Sequence, residues 1–318
     1  MFVDEIWDFK SFNMGRELEI AGEFIYDSAK KSMSISGLNN TYEINTILYT
    51  GAVGIERLQK IYLCLAAQDP TDVDSMPKCL KQHNHTKLQN EVNKYSKNNV
   101  SEIEMSLLGL FEEYYNNFRY ANYYPGQHEN DLRKLFVRFL KRQNGKFNFD
   151  EPCTAVQFEE FKRFYINKLG KLAVRLYLLI REKAYELNTY TYEIDSISRA
   201  SRVFWTTQRK TLYEQMVLEQ NATKELLLYI YKNNRGTGVF RLLDNMEALD
   251  FDNSLVNEYL EDLCVGKVND LLIDYVDDFY EEIEDKAQKK ERKELLSLIG
   301  NRSVMFDFDE EDENENIE

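Results

Sequence analysis

Apolar residues recur along this chain every third or fourth position, the spacing that lines one face of a helix. Leu18, Ala21, Ile25 and Ser28, widened by Phe24, predict a first helix in the run from Gly15. After a loop at 36–43, a second helix is expected from about Ile44 to Ala67. Ile55, Leu58, Tyr62 and Leu65 make its stripe. Glu56, Arg57, Gln59 and Lys60 share its other side, with Glu56 and Lys60 an i,i+4 pair in the favourable order. Asp69 to Pro77 is a breaker-rich loop, and a short helix follows from about Thr86 to Lys97. Ser101-Glu102-Ile103-Glu104 fits a capping box, which satisfies orphan amides at a helix start. The helix behind it is apolar at Leu107, Leu108, Phe111, Tyr115 and Phe118, and it should stop near Asn122 because Pro125-Gly126 cannot continue it.

Further helices are predicted over about 129–142 and 156–188, then a short basic segment at 195–205. The spacing then predicts helices over 212–218 and 222–231, and two or three between 254 and 298. Gly170 lowers the stability of its helix by about 1 kcal/mol relative to Ala, and marks an expected close helix contact. Residues 1–13 read as an arm, with Trp7 and Phe9 as docking residues. The last proline is Pro152, and no strand pattern or short repeat is visible. The expected fold class is all-α, with helix well above half of all residues. A helical bundle is expected over 1–148 and a C-terminal helical region over 149–305, with the boundary at 145–152. The segment 306–318 holds eight acidic residues in thirteen, too charged to bury a core, and is expected to be a disordered tail.

Charge changes the picture in one place. The 318 residues carry a net −15, which repels nucleic acid on average. Residues 131–210, however, hold 17 Lys plus Arg against nine Asp plus Glu, so the middle is basic between acidic ends. Cys64, Cys79, Cys153 and Cys264 share no CxxC spacing, which argues for reduced thiols in a cytosolic setting rather than a zinc site. The acidic start lacks the basic region of a signal peptide. No apolar run is long enough for a membrane span. The location expected is cytoplasmic, with no membrane contact.

Candidate chemistry is sparse. Arg235-Gly236-Thr237-Gly238 is too short for a phosphate loop and reads as a turn. The aspartates at 274–278 fit no EF-hand and read as a solvated face. His83 and His85 flank Asn84 just before a helix; two residues apart, they cannot share a helical face, so no zinc pair is expected there. They either cap the helix and bond to neighbours or serve acid–base chemistry, since imidazole titrates near neutrality. Arg119, Tyr120 and His128 surround the end of the helix behind Ser101 and the turn beyond it. Cleaving RNA through its ribose 2′-OH needs a base for that hydroxyl and a cation for the phosphorane charge, and an Arg with a His meets both needs without a metal. The plainer role for Arg119 is to bond carbonyls or Glu112 and Glu113 while Tyr120 packs.

GIERLQKIYLCL at 54–65, HNHTKL at 83–88 and NNFRY at 116–120 together resemble the HEPN superfamily, the all-helical bundles common in prokaryotic toxin–antitoxin and phage-defence systems. The resemblance covers residues 15–145. It implies a HEPN-like bundle, a metal-independent endoribonuclease activity with no cofactor, and a homodimer or higher oligomer in which two copies share a cleft. It also implies a protein partner or antitoxin. Family enzymes carry an Arg followed a few residues later by a His; here eight residues lie between Arg119 and His128. On this reading Arg119, His128 and His85 are the catalytic candidates. Tyr120, Arg133, Lys134, Arg138, Lys141 and Arg142 are the expected RNA contacts. The rival expectation is a non-catalytic interaction or scaffold subunit of a defence complex, binding protein through its acidic and basic segments.

Overall fold

The structure is a computed structural model that describes residues 5–35, 37–66, 81–96, 100–123, 129–141, 155–232, 246–301 and 304. Of these, 80% are helical and none forms a strand, so the fold is all-α as the periodicity predicts. A short helix α1 (Glu5–Asp8) runs through a π-helical turn (Phe9–Asn13) into α2 (Met14–Ser34) and α3 (Thr41–Ala66). There follow α4 (His85–Tyr95), α5 (Glu102–Glu113), α6 (Glu129–Leu140), α7 (Ala155–Glu186), α8 (Arg199–Phe204) and α9 (Leu212–Lys232). The described chain ends with α10 (Val256–Cys264), α11 (Asp270–Glu282) and α12 (Lys286–Leu298). Among the described residues no helix is long and apolar enough to cross a membrane. Cys64 is buried and Cys264 half-buried, and no disulfide joins them. Cys79, Cys153 and the segment 306–318 lie outside the described residues.

The chain divides into two units, residues 1–218 and 219–318. In the first, α3 is the central element and packs against α2, α4, α5, α6 and α7. Sixteen of its 26 residues are buried, which leaves it almost no solvent face. The predicted stripe of Ile55, Leu58, Tyr62 and Leu65 is indeed inside. Glu56 and Gln59, read from the sequence as part of a polar outer side, are buried too: Gln59 lies under α4, and Glu56 is held between Lys60 and His83, the latter just before α4. The long helix α7 joins the same core through Phe161, Tyr165, Leu169, Leu172 and Leu176. The segment 145–152, taken from its composition as a boundary, lies outside the described residues; the helix after it belongs to the first unit. The change of unit comes instead within α9. Leu212, Tyr213, Gln215 and Met216 are buried, and no later residue of that one continuous helix is.

Two glycines set how closely these helices approach. A Cβ on Gly54 of α3 would lie 2.6 Å from Ile25 Cγ1 and 3.1 Å from the Ala21 carbonyl oxygen of α2. A Cβ on Gly170 of α7 would lie 2.8 Å from Leu212 Cβ, the close contact the sequence leads one to expect. Where α2, α3 and α7 meet, Ser28 Oγ donates to the Ile47 carbonyl at 2.8 Å and lies 2.9 Å from Tyr165 Oη. Buried polar groups are thereby satisfied inside the apolar core. The arm docks as expected of Trp7. Its indole N–H donates to the Asn188 carbonyl at 2.8 Å, and its ring meets Tyr190 edge-on at 5.4 Å. The capping box is formed, with Ser101 N donating to Glu104 Oε2 at 2.7 Å and Glu104 N to Ser101 Oγ at 3.4 Å.

In the second unit α10, α11 and α12 contain no buried residue. Asn269 and Asp285 cap α11 and α12 through their side chains. Phe251 rests edge-on against Tyr259 and Tyr275, and Arg292 lies over Phe279.

Gly54→Ala is expected to lower stability by about 1–3 kcal/mol, the usual cost of overpacking a filled core. Gly109→Ala on α5, where a Cβ meets nothing within 4 Å, is expected to raise it by about 0.5–1 kcal/mol. Thermal melts of both variants by circular dichroism check the pair. Equal melting temperatures for both variants would show that Gly54 does not set the α2–α3 distance.

Candidate functional site

Helix α5 widens into a π-helical turn over Tyr114–Phe118, a local distortion common at functional sites, and Arg119 follows it directly. The Arg119 guanidinium packs over Tyr115 at 4.5 Å, Tyr120 at 4.9 Å and Tyr49 of α3 at 5.3 Å. Among the described residues it makes no ion pair, and its positive charge lies against ring faces. Glu112 is taken by Asn84 and Thr86, and Glu113 by Arg138 at 3.2 Å, which leaves neither acid as the partner of Arg119.

Tyr115 carries a second group. The His83 ring stacks on it at 5.1 Å with a 24° interplanar angle. His83 Nδ1 lies 3.0 and 3.2 Å from the two carboxylate oxygens of Glu56. Lys60 Nζ donates to the same carboxylate at 2.7 Å, so the sequence-predicted i,i+4 pair forms. A carboxylate can only accept, so Nδ1 keeps its hydrogen in either protonation state of the ring. Nε2 is then the atom that exchanges a proton. The His83 side chain is 53% exposed, whereas Glu56 is buried. Burial first, and then the Glu56 carboxylate, push the Tyr115 phenol above its ordinary value, with Arg119 opposing them. His83, Glu56, Lys60 and Tyr115 border a cleft of about 730 Å³, together with Tyr49 and Val53, and Arg119 reaches it only through the Tyr115 and Tyr49 rings it packs on.

His85 has a different fate. Asn84 accepts from Lys87 N at 2.8 Å and is the cap, and His85 begins the helix with none of its surface exposed. Its Nε2 donates to the Ala52 carbonyl at 3.0 Å, and Gln59 Nε2 donates to the His85 carbonyl at 3.0 Å. Its Nδ1 is buried with no hydrogen-bond partner among the described residues. A sealed imidazole cannot reach a substrate, which the catalytic place expected of His85 would need; of the two histidines beside Asn84, His83 is the one that lines the cleft. His128 and Arg142 lie outside the described residues. Tyr120 is exposed and meets the more exposed Tyr123 edge-on at 6.2 Å. On α6, Lys134 and Arg138 are exposed, as is Lys141 just beyond it, while Arg133 is half-buried.

The sequence reading missed Glu56, Tyr115 and Tyr49 as parts of one site. A signal was present, since Glu56 and His83 both sit in stretches that carry the HEPN resemblance. No protein-family model, curated protein or solved structure matches the chain.

Burial holds the His85 pKa below its ordinary value of 6.5, so at acid pH the unfolded chain binds a proton that the folded one refuses. Stability is therefore expected to fall as pH drops below about 6.5, with a slope of at most one proton, about 1.4 kcal/mol per pH unit. His85→Gln should flatten that slope in urea titrations at pH 7.5 and 5.5. An unchanged slope would show that His85 is not the group responsible.

Proposed function

We propose that the chain is a HEPN-like protein of a prokaryotic antiviral defence or toxin–antitoxin system that cuts RNA without a metal, through the cleft around Tyr115. The observation that carries this reading is that Arg119 and His83 pack on the same tyrosine ring. His83 Nε2, its ring held by Glu56, takes the proton of a ribose 2′-OH. That oxygen attacks the adjacent phosphorus while Arg119 stabilises the charge of the phosphorane. The 5′-oxygen leaves and takes a proton from water or from His128. The products are a 2′,3′-cyclic phosphate and a 5′-hydroxyl. Tyr120 and Tyr123 offer exposed rings for base stacking, and Arg133, Lys134, Arg138, Lys141 and Arg142 follow the phosphates. A homodimer, an antitoxin or other protein partner and a cytoplasmic setting belong to the same proposal.

A second reading, a non-catalytic interaction subunit, is favoured by the second unit. There Leu260, Leu263, Leu271, Ile273 and Tyr275 are exposed on helices that bury nothing.

Incubating the purified protein with RNA in EDTA should yield fragments ending in cyclic phosphate, and a single 2′-deoxy substitution at the cut should block it. Arg119→Ala and His83→Ala should each lower the rate by about 10²–10³-fold. Arg119→Lys should restore little, because an ammonium lacks the planar fork that grips two phosphate oxygens. Full activity in either alanine variant would remove this mechanism and leave the interaction subunit.

A further inference from the structure

The first unit holds a second cleft, of about 790 Å³, formed by α7, the segment after it, and the turn that follows α8. Its wall is aromatic. Trp205 Nε1 donates to Tyr177 Oη at 2.7 Å, and Tyr177 is stacked on Phe204 at 4.9 Å with a 9° angle, so the indole is held at a fixed tilt. Tyr192 lines the same space, and the Tyr177 hydroxyl donates to its carbonyl at 3.4 Å. Trp205 itself remains 37% exposed, so part of the indole is open to the cleft.

Two cations border this wall. Arg181 lies one helical turn after Tyr177 on α7 and so shares its face. Arg209 follows the short helical turn Thr206–Gln208. Both are exposed, and among the described residues neither forms an ion pair, whereas the nearby Arg199 is held by Glu23 and Asp27. One carboxylate, Glu193, also lines the cleft. A bare anion would gain from the arginines and lose against Glu193, and an apolar ligand would leave both arginines unused. A ligand that has a flat ring for the indole, hydrogen-bond donors for Glu193 and an anionic group for two guanidinium forks uses every group present.

We infer that this cleft binds a nucleotide unit, with its base against Trp205, its amino or ribose hydroxyl groups toward Glu193, and its phosphate between Arg181 and Arg209. This goes beyond the cutting site at Tyr115 and shares no residue with it. The unit has two sources, a free nucleotide or a stretch of single-stranded nucleic acid.

The chain has two tryptophans, so the full-length Trp7→Phe protein reports from Trp205 alone. Titration with ATP, with a short oligodeoxyadenylate that has no 2′-OH to attack, and with inorganic phosphate separates the cases. Saturable quenching by ATP assigns the site to free nucleotides, and saturation by the oligonucleotide alone assigns it to a strand. In both cases Arg181→Ala and Arg209→Ala should each weaken binding about tenfold or more. Equilibrium dialysis of labelled ATP and oligonucleotide against the protein with both tryptophans gives the same answer should Trp7→Phe disturb the fold. No saturable binding of either probe, unaltered affinity in both arginine variants, or phosphate binding as tightly as ATP would overturn the inference. The readout is binding rather than cleavage, so a protein that cuts no RNA can pass this test and one that cuts RNA can fail it.

Discussion

A helix with sixteen of its 26 residues buried has almost no solvent face over its middle and end, and α3 is such a helix. Each polar group it carries must find a partner inside the protein, because an unpaired buried polar group costs about 1–3 kcal/mol. The Gln59 amide nitrogen meets this by donating to the His85 carbonyl and to Gln89 Oε1, which ties the start of α4 to the middle of α3, although the Gln59 amide oxygen has no partner among the described residues. Glu56 meets it through Lys60 and His83. The exposed imidazole is thus placed by the need to satisfy a buried carboxylate. Tyr115, from the π-helical turn, then closes over His83 and brings Arg119 with it. The candidate site is in this sense a by-product of burying α3, and it inherits the rigidity of the core beneath it.

The close passage of α3 past α2 belongs to the same constraint. Only a residue without a Cβ lets the two backbones come this near, and Gly54 opens the stretch that contains Glu56 and Lys60. Packing distance and site geometry are therefore written into the same few positions. The two histidines beside Asn84 show how finely this divides. One is sealed under α3 with its Nε2 on a carbonyl, and the other, two residues earlier, is held at the cleft.

The second unit follows a different physical balance. Residues 246–301 carry 16 Asp and Glu against six Lys and Arg, and their helices are capped by Asn and Asp side chains while their apolar residues stay partly exposed. Local hydrogen bonding and capping account for these helices better than burial does, in contrast to α3.

Much of the fold was legible in the sequence, for a definite reason. Helical spacing, the capping box at Ser101 and the low proline content act over one or two turns, so they need no knowledge of neighbours. The run 212–232 was misread as two helices because a fall in burial partway along one helix looks, in sequence, like a break. Gly170 could be read as a close contact, but not that Leu212 would fill it. Arg119 could be named from the motif around it. The sequence reading chose His85 over His83, and nothing local could correct that choice, because two residues of the same type, two positions apart, have the same sequence signature. By itself, then, the sequence determined an all-α chain, most of its helix positions and one arginine at a helix end. Only the tertiary structure decided which polar residues of α3 are buried, which histidine faces the cleft and which rings hold Arg119. Those outcomes depend on contacts between residues as far apart as Glu56 and His83, and local periodicity carries no record of such pairs.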